Sequence, residues 1–121
     1  MSERDVELDE LAGRLDDPRL TIVDVRTPPE YDGSRGHDCD PRQGHIPGAR
    51  HLDVRSLLGC ADAAEVRELV ALAEGAEVVA YCHSGSRSAM AVEILRAAGY
   101  DARNYRGSWH EWSRTDLAIE P

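Results

Sequence analysis

The chain has 121 residues, a length typical of one compact domain, and we expect a single domain over residues 1–121. Its net charge of −9 disfavours nucleic-acid binding, and its basic residues are all arginine, which excludes lysine Schiff-base chemistry. No apolar run approaches the ~20 residues that a membrane span needs, and the acidic start lacks a signal-peptide core, so we expect no membrane contact and a cytoplasmic protein. Three cysteines, an odd number, indicate free thiols rather than a disulfide framework.

The sequence predicts four elements before residue 53. A helical stripe at positions 8, 11, 12 and 15 ends at Asp16-Asp17-Pro18, and the β-branched run "LTIVDV" predicts a strand over 20–25. A short helix follows Pro28, and "ARHL" (49–52) predicts a short strand. Residues 32–48 lack periodicity and predict a long loop, which is uncommon inside a compact domain and often functional.

Helices and strands alternate in the second half as well. A stripe at positions 66, 69, 70 and 73 predicts a helix ended by Gly75, and "EVVAY" (77–81) has the composition of a buried strand. A second stripe, at positions 91–98, is capped by Gly99. A weaker strand over 101–105 and a short helix over 107–114 complete the pattern. This alternation predicts an α/β fold with a largely parallel sheet.

The stretch "YCHSGSRSA" (81–89) places Cys82 directly after a predicted strand and just before a helix. Backbone amides of such a loop, together with the positive end of the helix, stabilise an anion. Both effects lower the pKa of a cysteine, and Gly85 permits the positive φ that the curl needs. Arg87 lies at the unfavourable end of the helix dipole, so we expect a negative partner nearby. The sequence therefore predicts a reactive thiolate that solvent can reach.

The size of this loop separates two chemistries. Tyrosine-phosphatase-like enzymes also hold an anion in a cysteine-to-arginine loop, with five residues between the two. Four residues separate Cys82 from Arg87, and the next position is Ser88. The shorter loop makes a tighter cup, which favours one extra sulfur atom over a tetrahedral phosphate.

Four ordered motifs resemble the rhodanese (sulfurtransferase) family over nearly the whole chain. "CHSGSRS" (82–88) resembles the family's C-x-x-G-x-R-S loop, and "IVDVRTPPEY" (22–31) and "GHIPGA" (44–49) resemble its first two signatures. "GSWHEW" (107–112) is similar to the family's Gly-Gly-Trp-x-x-Trp motif, with Ser108 in place of the second glycine. The resemblance implies a three-layer α/β fold with a central, mostly parallel five-stranded sheet flanked by helices.

The resemblance also implies sulfur transfer by double displacement. Cys82 would take a sulfane sulfur from thiosulfate or a persulfide and pass it to cyanide, a thiol or a protein cysteine. A sulfur-relay protein is one acceptor of this class. The chemistry needs no metal and no organic cofactor. The implied substrate-binding loop consists of His83, Ser84, Gly85, Ser86 and Arg87.

Two residues at the end of the first predicted strand are assigned supporting roles. Asp24 is a candidate ion-pair partner for Arg87, and Arg26 is expected near the entrance of the site. His83 has two interpretations, a titratable group in the loop or a solvent-facing side chain without a role.

The twelve residues 32–43, "DGSRGHDCDPRQ", separate motifs that stand close together in most of the family, and so form an inserted loop. Cys39 within it is a candidate second thiol that would accept sulfur or form a disulfide with Cys82. A second hypothesis gathers His37, Cys39 and His45 around Zn²⁺, although their spacing matches no standard zinc motif. The third is a solvated surface loop without chemistry.

Two other functions compete with sulfur transfer. An arsenate reductase or phosphatase on the same scaffold would need a roomier loop than the one between Cys82 and Arg87. A non-catalytic interaction module would have no use for the reactive cysteine.

Overall fold

A computed structural model describes residues 5–121 as a five-stranded sheet covered by helices. The strands are β1 (Asp5–Val6), β2 (Leu20–Asp24), β3 (Arg50–His51), β4 (Glu77–Tyr81) and β5 (Asp101–Tyr105). Their order is β1-β5-β4-β2-β3, and every neighbouring pair is parallel. The expected α/β fold with its five-stranded sheet is therefore confirmed.

The helices connect these strands and cover the sheet. They are α1 (Leu8–Ala12), α2 (Pro28–Asp32), α3 (Val54–Leu58), α4 (Ala63–Val70), α5 (Ser86–Ala97) and α6 (Ser108–Trp112). The longest, α5, has 12 residues, and among residues 5–121 no helix has the length and apolar character to cross a membrane.

Strand β4 lies at the centre of the sheet and separates two hydrophobic clusters. Val78, Ala80 and Cys82 belong to the cluster that packs against α3, α4 and α5. Val79 and Tyr81 belong to the other cluster, which contains Trp109 and Trp112. The alternation follows from the two-residue period of a strand. It places Cys82 at the end of the central strand, beneath the N-terminus of α5.

Helix boundaries differ from the sequence prediction at two places, and two elements were missed. Helix α4 ends at Val70 rather than at Gly75, because Ala71 adopts a left-handed conformation and its amide closes on the Arg67 carbonyl at 2.8 Å. Helix α1 ends at Ala12, three residues before the end of its apolar stripe. The two-residue strand β1 and the five-residue helix α3 are too short to produce a clear periodicity.

A buried ion pair fixes the end of β2. The side chains of Asp24 and Arg26 are 0% and 1% exposed, and their charged groups lie 2.7 Å apart. The Arg26 guanidinium also donates to the Gly44 carbonyl and lies 4.9 Å from the ring centre of Trp109. The expectation that Arg26 lies near the entrance of the site is wrong, because its charge is neutralised inside the core. It joins β2, the loop before β3 and α6.

Removal of one partner from this pair should strongly destabilise the fold. Asp24→Ala is expected to lower the free energy of unfolding by about 3–5 kcal/mol, because Arg26 would remain charged and buried. Urea denaturation measures the loss, with Glu10→Ala as the control. Glu10 pairs with Arg103 at the surface, and its removal should cost about 1 kcal/mol or less. Equal losses in the two variants would contradict the structural role given to Asp24.

Candidate active site

The sulfur of Cys82 lies at the floor of the loop between β4 and α5. The Gly85 amide donates a hydrogen bond to Sγ at 3.0 Å, and the buried Ser88 hydroxyl lies 3.4 Å from the same atom. The predicted cup of donors around this sulfur is therefore present. It lies at the N-terminus of α5, whose dipole also favours a negative charge.

Two opposing effects act on the pKa of Cys82. Burial of the thiol raises it, but the Ser88 hydroxyl and the amides of Ser84, Gly85 and Ser88 together lower it by more. The net shift is downward, as the sequence predicts. A lower pKa increases the thiolate fraction at neutral pH, and the thiolate is the nucleophilic form.

Gly85 is required by close packing as well as by its backbone conformation. Its φ is 97°, and a Cβ at this position would lie 2.7 Å from the carbonyl oxygen of Arg106. The Asn104 side-chain amide, on β5, donates to the Gly85 carbonyl at 3.2 Å. The neighbouring strand therefore holds Gly85 from its carbonyl side, while its N–H points toward the sulfur.

Ser108 supports the cysteine from the start of α6. Its φ is 55°, a left-handed conformation that favours glycine, which the family has at this position. Its hydroxyl accepts a hydrogen bond from the Cys82 amide at 3.1 Å and donates to the Tyr105 carbonyl at 2.8 Å. These two bonds satisfy buried groups beside the nucleophile and offset the backbone strain.

Arg87 pairs with Glu30, and the expected pair with Asp24 is wrong. Its guanidinium makes two hydrogen bonds with the Glu30 carboxylate, at 3.0 and 3.2 Å. Asp24 instead takes Arg26 as its partner, because both are buried two residues apart at the same strand end. Burial raises the pKa of Glu30, but Arg87 and the Thr27 amide and hydroxyl outweigh it and lower that pKa to about 2.

The insert contacts residues 82–87, here called the catalytic loop after the role that the sequence predicts for it, through His83. The ring of His37 stacks on that of His83 at 3.7 Å, and Asp40 Oδ2 lies 2.9 Å from His83 Nε2. The hypothesis that His83 faces solvent without contacts is therefore wrong, since the side chain is only 14% exposed.

The predicted zinc trio is not assembled. His45 stacks on Tyr31, and its Nδ1 lies 2.8 Å from the Tyr31 carbonyl. These contacts hold His45 away from His37 and Cys39 of the insert. Cys39 is exposed and its sulfur lies 3.8 Å from Asp40. The trio of His37, Cys39 and His45 is wrong because His45 packs against α2.

Access to the sulfur differs from the expectation. Cys82 is only 1% exposed, whereas Ser84 and Ser86 in the same loop are exposed. The expected contact with solvent is absent in this conformation. A reagent must therefore displace part of the surrounding loop to reach Sγ.

The comparisons with known proteins identify the family. The rhodanese-like domain model matches residues 7–115, so the chain belongs to the rhodanese family. A thiosulfate sulfurtransferase of Pseudomonas aeruginosa is 34% identical over 119 residues, which are 91% of this chain and 43% of that protein. The sulfur carrier protein TtuD of Thermus thermophilus is 34% identical over 106 residues, which are 75% of this chain and 37% of that protein. The chain thus spans less than half the length of these curated relatives.

Solved structures agree with the sequence comparisons. The crystal structure of a probable thiosulfate sulfurtransferase is 40% identical with a TM-score of 0.85, and the match covers 98% of this chain and 48% of that one. An anaerobic ergothioneine biosynthesis enzyme from Chlorobium limicola has a TM-score of 0.85 at 19% identity, over 98% of this chain and 28% of that one. The second likeness concerns the fold alone.

Sequence reasoning missed three residues of the site. They are Glu30, Asp40 and Ser108. The T-x-x-E spacing of Thr27 and Glu30 indicates a capping box, and this box is what holds Glu30 toward Arg87. Nothing in the local pattern signals that Asp40 would fold back on the catalytic loop.

The two hydrogen bonds of Ser108 predict an order of stabilities. Ser108→Ala should lower the free energy of unfolding by about 2–3 kcal/mol, because the buried Cys82 amide loses its acceptor. Ser108→Gly loses the same bonds but relieves left-handed strain of about 1 kcal/mol, so it should lie between wild type and the alanine variant. Urea denaturation measures all three proteins. A glycine variant less stable than the alanine variant would refute this account.

The pair of Glu30 and Arg87 predicts a pH-dependent stability. Because folding lowers the pKa of Glu30 from 4.5 to about 2, its contribution is fully present above pH 4.5 and disappears as the pH falls toward 2. Glu30→Gln should therefore lower the stability by roughly 2 kcal/mol at pH 7, with a difference that shrinks in acid. Unfolding curves at several pH values test this, with the exposed Glu68→Gln as control. A difference independent of pH would contradict it.

Proposed function

We propose that this chain is a sulfurtransferase that carries a sulfane sulfur as a persulfide on Cys82. The observation that carries the proposal is the set of donors on Cys82 Sγ, from the Gly85 amide and the Ser88 hydroxyl. The sulfurtransferase relatives and the solved structure at 40% identity support it.

The first half-reaction loads the cysteine. The thiolate of Cys82 attacks the outer sulfur of thiosulfate or of a persulfide donor, and the donor's S–S bond breaks. Sulfite or a thiolate leaves with the bonding electron pair, and the chain holds a Cys82 persulfide anion. Amides of residues 83–87 bind the negative charge of the added sulfur, and the helix dipole of α5 contributes to the same effect.

The second half-reaction returns the free thiolate. A nucleophilic acceptor, such as cyanide, a thiol or a protein cysteine, attacks the outer sulfur of the persulfide. The S–S bond breaks again, and its electrons return to Cys82. Loading oxidises Cys82 to the persulfide and unloading returns it to the thiolate, so the donor and the acceptor together balance the cycle without an external oxidant or reductant.

Arg87 and His83 differ in their roles. The Arg87 guanidinium is engaged by Glu30, so it orders the loop and supplies a positive potential near the sulfur. The carboxylate of Asp40 lies beside His83, but it is itself paired with Arg114 at 3.0 Å, so it adds little net charge next to the loop. Similarity to the sulfur carrier TtuD supports a protein as sulfur donor or acceptor.

Intact-mass measurement tests the proposal directly. After incubation with thiosulfate or a persulfide donor and removal of the excess, the protein should gain roughly 32 Da, one sulfur atom, and lose it on addition of cyanide. Cys82→Ser should show no gain, whereas Cys60→Ser, which changes a cysteine away from the loop, should load like wild type. The loading rate should rise with pH and level off at a lower pH than for an unperturbed thiol, because the pKa of Cys82 is lowered.

The burial of Cys82 makes a second measurement necessary. Iodoacetamide should alkylate Cys82 slowly and completely, because the surrounding loop must open to admit it. Absence of both alkylation and sulfur loading would show that the nucleophile is inaccessible and would overturn the proposal. Turnover of phosphate esters or arsenate without any sulfur adduct would transfer the assignment to those reactions.

A further inference from the structure

Four side chains with metal-binding atoms converge where the insert meets the catalytic loop. Cys39 and Asp40 come from the insert, His83 from the catalytic loop and His110 from α6. One potential ligand atom from each lies within 4.8 Å of every other. Residues distant in sequence supply these atoms, so the cluster is a product of the fold.

Two of these atoms are buried without a hydrogen-bond partner. Asp40 Oδ2 and His83 Nε2 lie 2.9 Å apart, yet neither atom has a well-aligned hydrogen-bond partner. The Asp40 side chain is 0% exposed. Poorly aligned polar atoms in a buried place cost free energy, and a cation between the two atoms would satisfy both at once.

Outer contacts orient the carboxylate toward the cluster. Arg114 donates to Asp40 Oδ1 at 3.0 Å and to the Cys39 carbonyl at 2.6 Å. Oδ1 thereby has a donor and also lies 3.6 Å from His110 Nδ1, while Oδ2 faces His83. Hydrogen bonds of this kind hold the ligands of metal sites in position.

The donor set fits a particular class of ion. One thiolate, two imidazoles and one carboxylate match zinc, which prefers four sulfur, nitrogen and oxygen ligands in a tetrahedron. The thiolate and the carboxylate supply two negative charges for a divalent ion, although Asp40 shares its charge with Arg114. Ligand atoms around zinc lie about 3.3–3.8 Å apart, as follows from metal–ligand distances of about 2.0–2.3 Å. The widest separation would therefore have to contract by roughly 1 Å.

We propose that Cys39, Asp40, His83 and His110 form a zinc site that fastens the insert to the catalytic loop and to α6. The site replaces the trio suggested by the sequence, and it retains only Cys39 from that set. It is separate from sulfur transfer, which needs no metal. Since His83 follows Cys82 directly, zinc would restrain the loop that must open to admit a sulfur donor.

Metal binding is measured without any sulfur donor, so its outcome does not depend on the proposed transferase activity. The chain, freed of metal by a chelator, should bind one Zn²⁺ in equilibrium dialysis, and zinc should raise its melting temperature. Zinc should also protect Cys39 from alkylation in peptide mapping. Cobalt in place of zinc should give a thiolate-to-cobalt charge-transfer absorption.

Matched variants locate the ion. Cys39→Ser should abolish the charge-transfer absorption and weaken zinc binding at least tenfold, and His110→Gln should weaken it similarly. Cys60→Ser, a cysteine outside the cluster, should bind like wild type. Circular dichroism shows whether each variant is folded. If His110→Gln does not fold, Cys39→Ser alone tests the position of the ion, because Cys39 is exposed and its replacement should not disturb the fold.

Three results would overturn the proposal. The first is the absence of stoichiometric zinc binding. The second is a cobalt absorption that persists in Cys39→Ser but is lost in Cys82→Ser. The third is a Cys39–Cys82 disulfide that forms under mild oxidation even when zinc is present. The last would instead assign Cys39 the role of a second thiol.

Discussion

The backbone conformation of Gly85 is the constraint on which the site depends. Its N–H points at Cys82 Sγ, and the chain at this position approaches the Arg106 carbonyl more closely than a side chain would allow. Asn104 holds the following peptide through the Gly85 carbonyl. Strand β5 thus helps to fix the surroundings of the sulfur, although it makes no hydrogen bond to the sulfur itself. Any substitution that rotates the Gly85 N–H away would remove a donor from the thiolate and raise the pKa of Cys82.

Two ion pairs near the site have different roles. Asp24 and Arg26 are fully buried and neutralise each other, so they serve the architecture between β2 and α6. Glu30 and Arg87 are partly open to solvent and leave a polarised guanidinium beside the loop. The two acids are six residues apart in sequence. Their separation into different pairs follows from burial, since the inner cation must be matched by the nearest carboxylate.

Sequence information was sufficient for the features encoded locally. The strand–cysteine–helix order of residues 77–97 predicted the loop that holds Cys82, the alternation of strands and helices predicted the parallel sheet, and the family resemblance implied its five strands. Sequence reasoning failed where partners are chosen in three dimensions. Asp24 ends β2 and Glu30 lies just beyond it, and although the capping box marks Glu30 as oriented, the sequence does not show that Arg87 is its partner. The insert has no periodicity, so the fold of Asp40 onto His83 was beyond prediction, as was the exclusion of His45 from that cluster.

The hydrogen bonds between α6 and the catalytic turn have a further consequence. Ser108 accepts from the Cys82 amide, the Trp109 amide donates to the Cys82 carbonyl at 2.9 Å, and the His110 amide donates to the His83 carbonyl at 2.9 Å. The first amides of a helix have no acceptor within the helix, and here the carbonyls of the turn accept their hydrogen bonds. The turn and α6 consequently form one cooperative unit, because opening of the turn removes hydrogen bonds from the helix. Both segments should therefore lose their protection against hydrogen–deuterium exchange together.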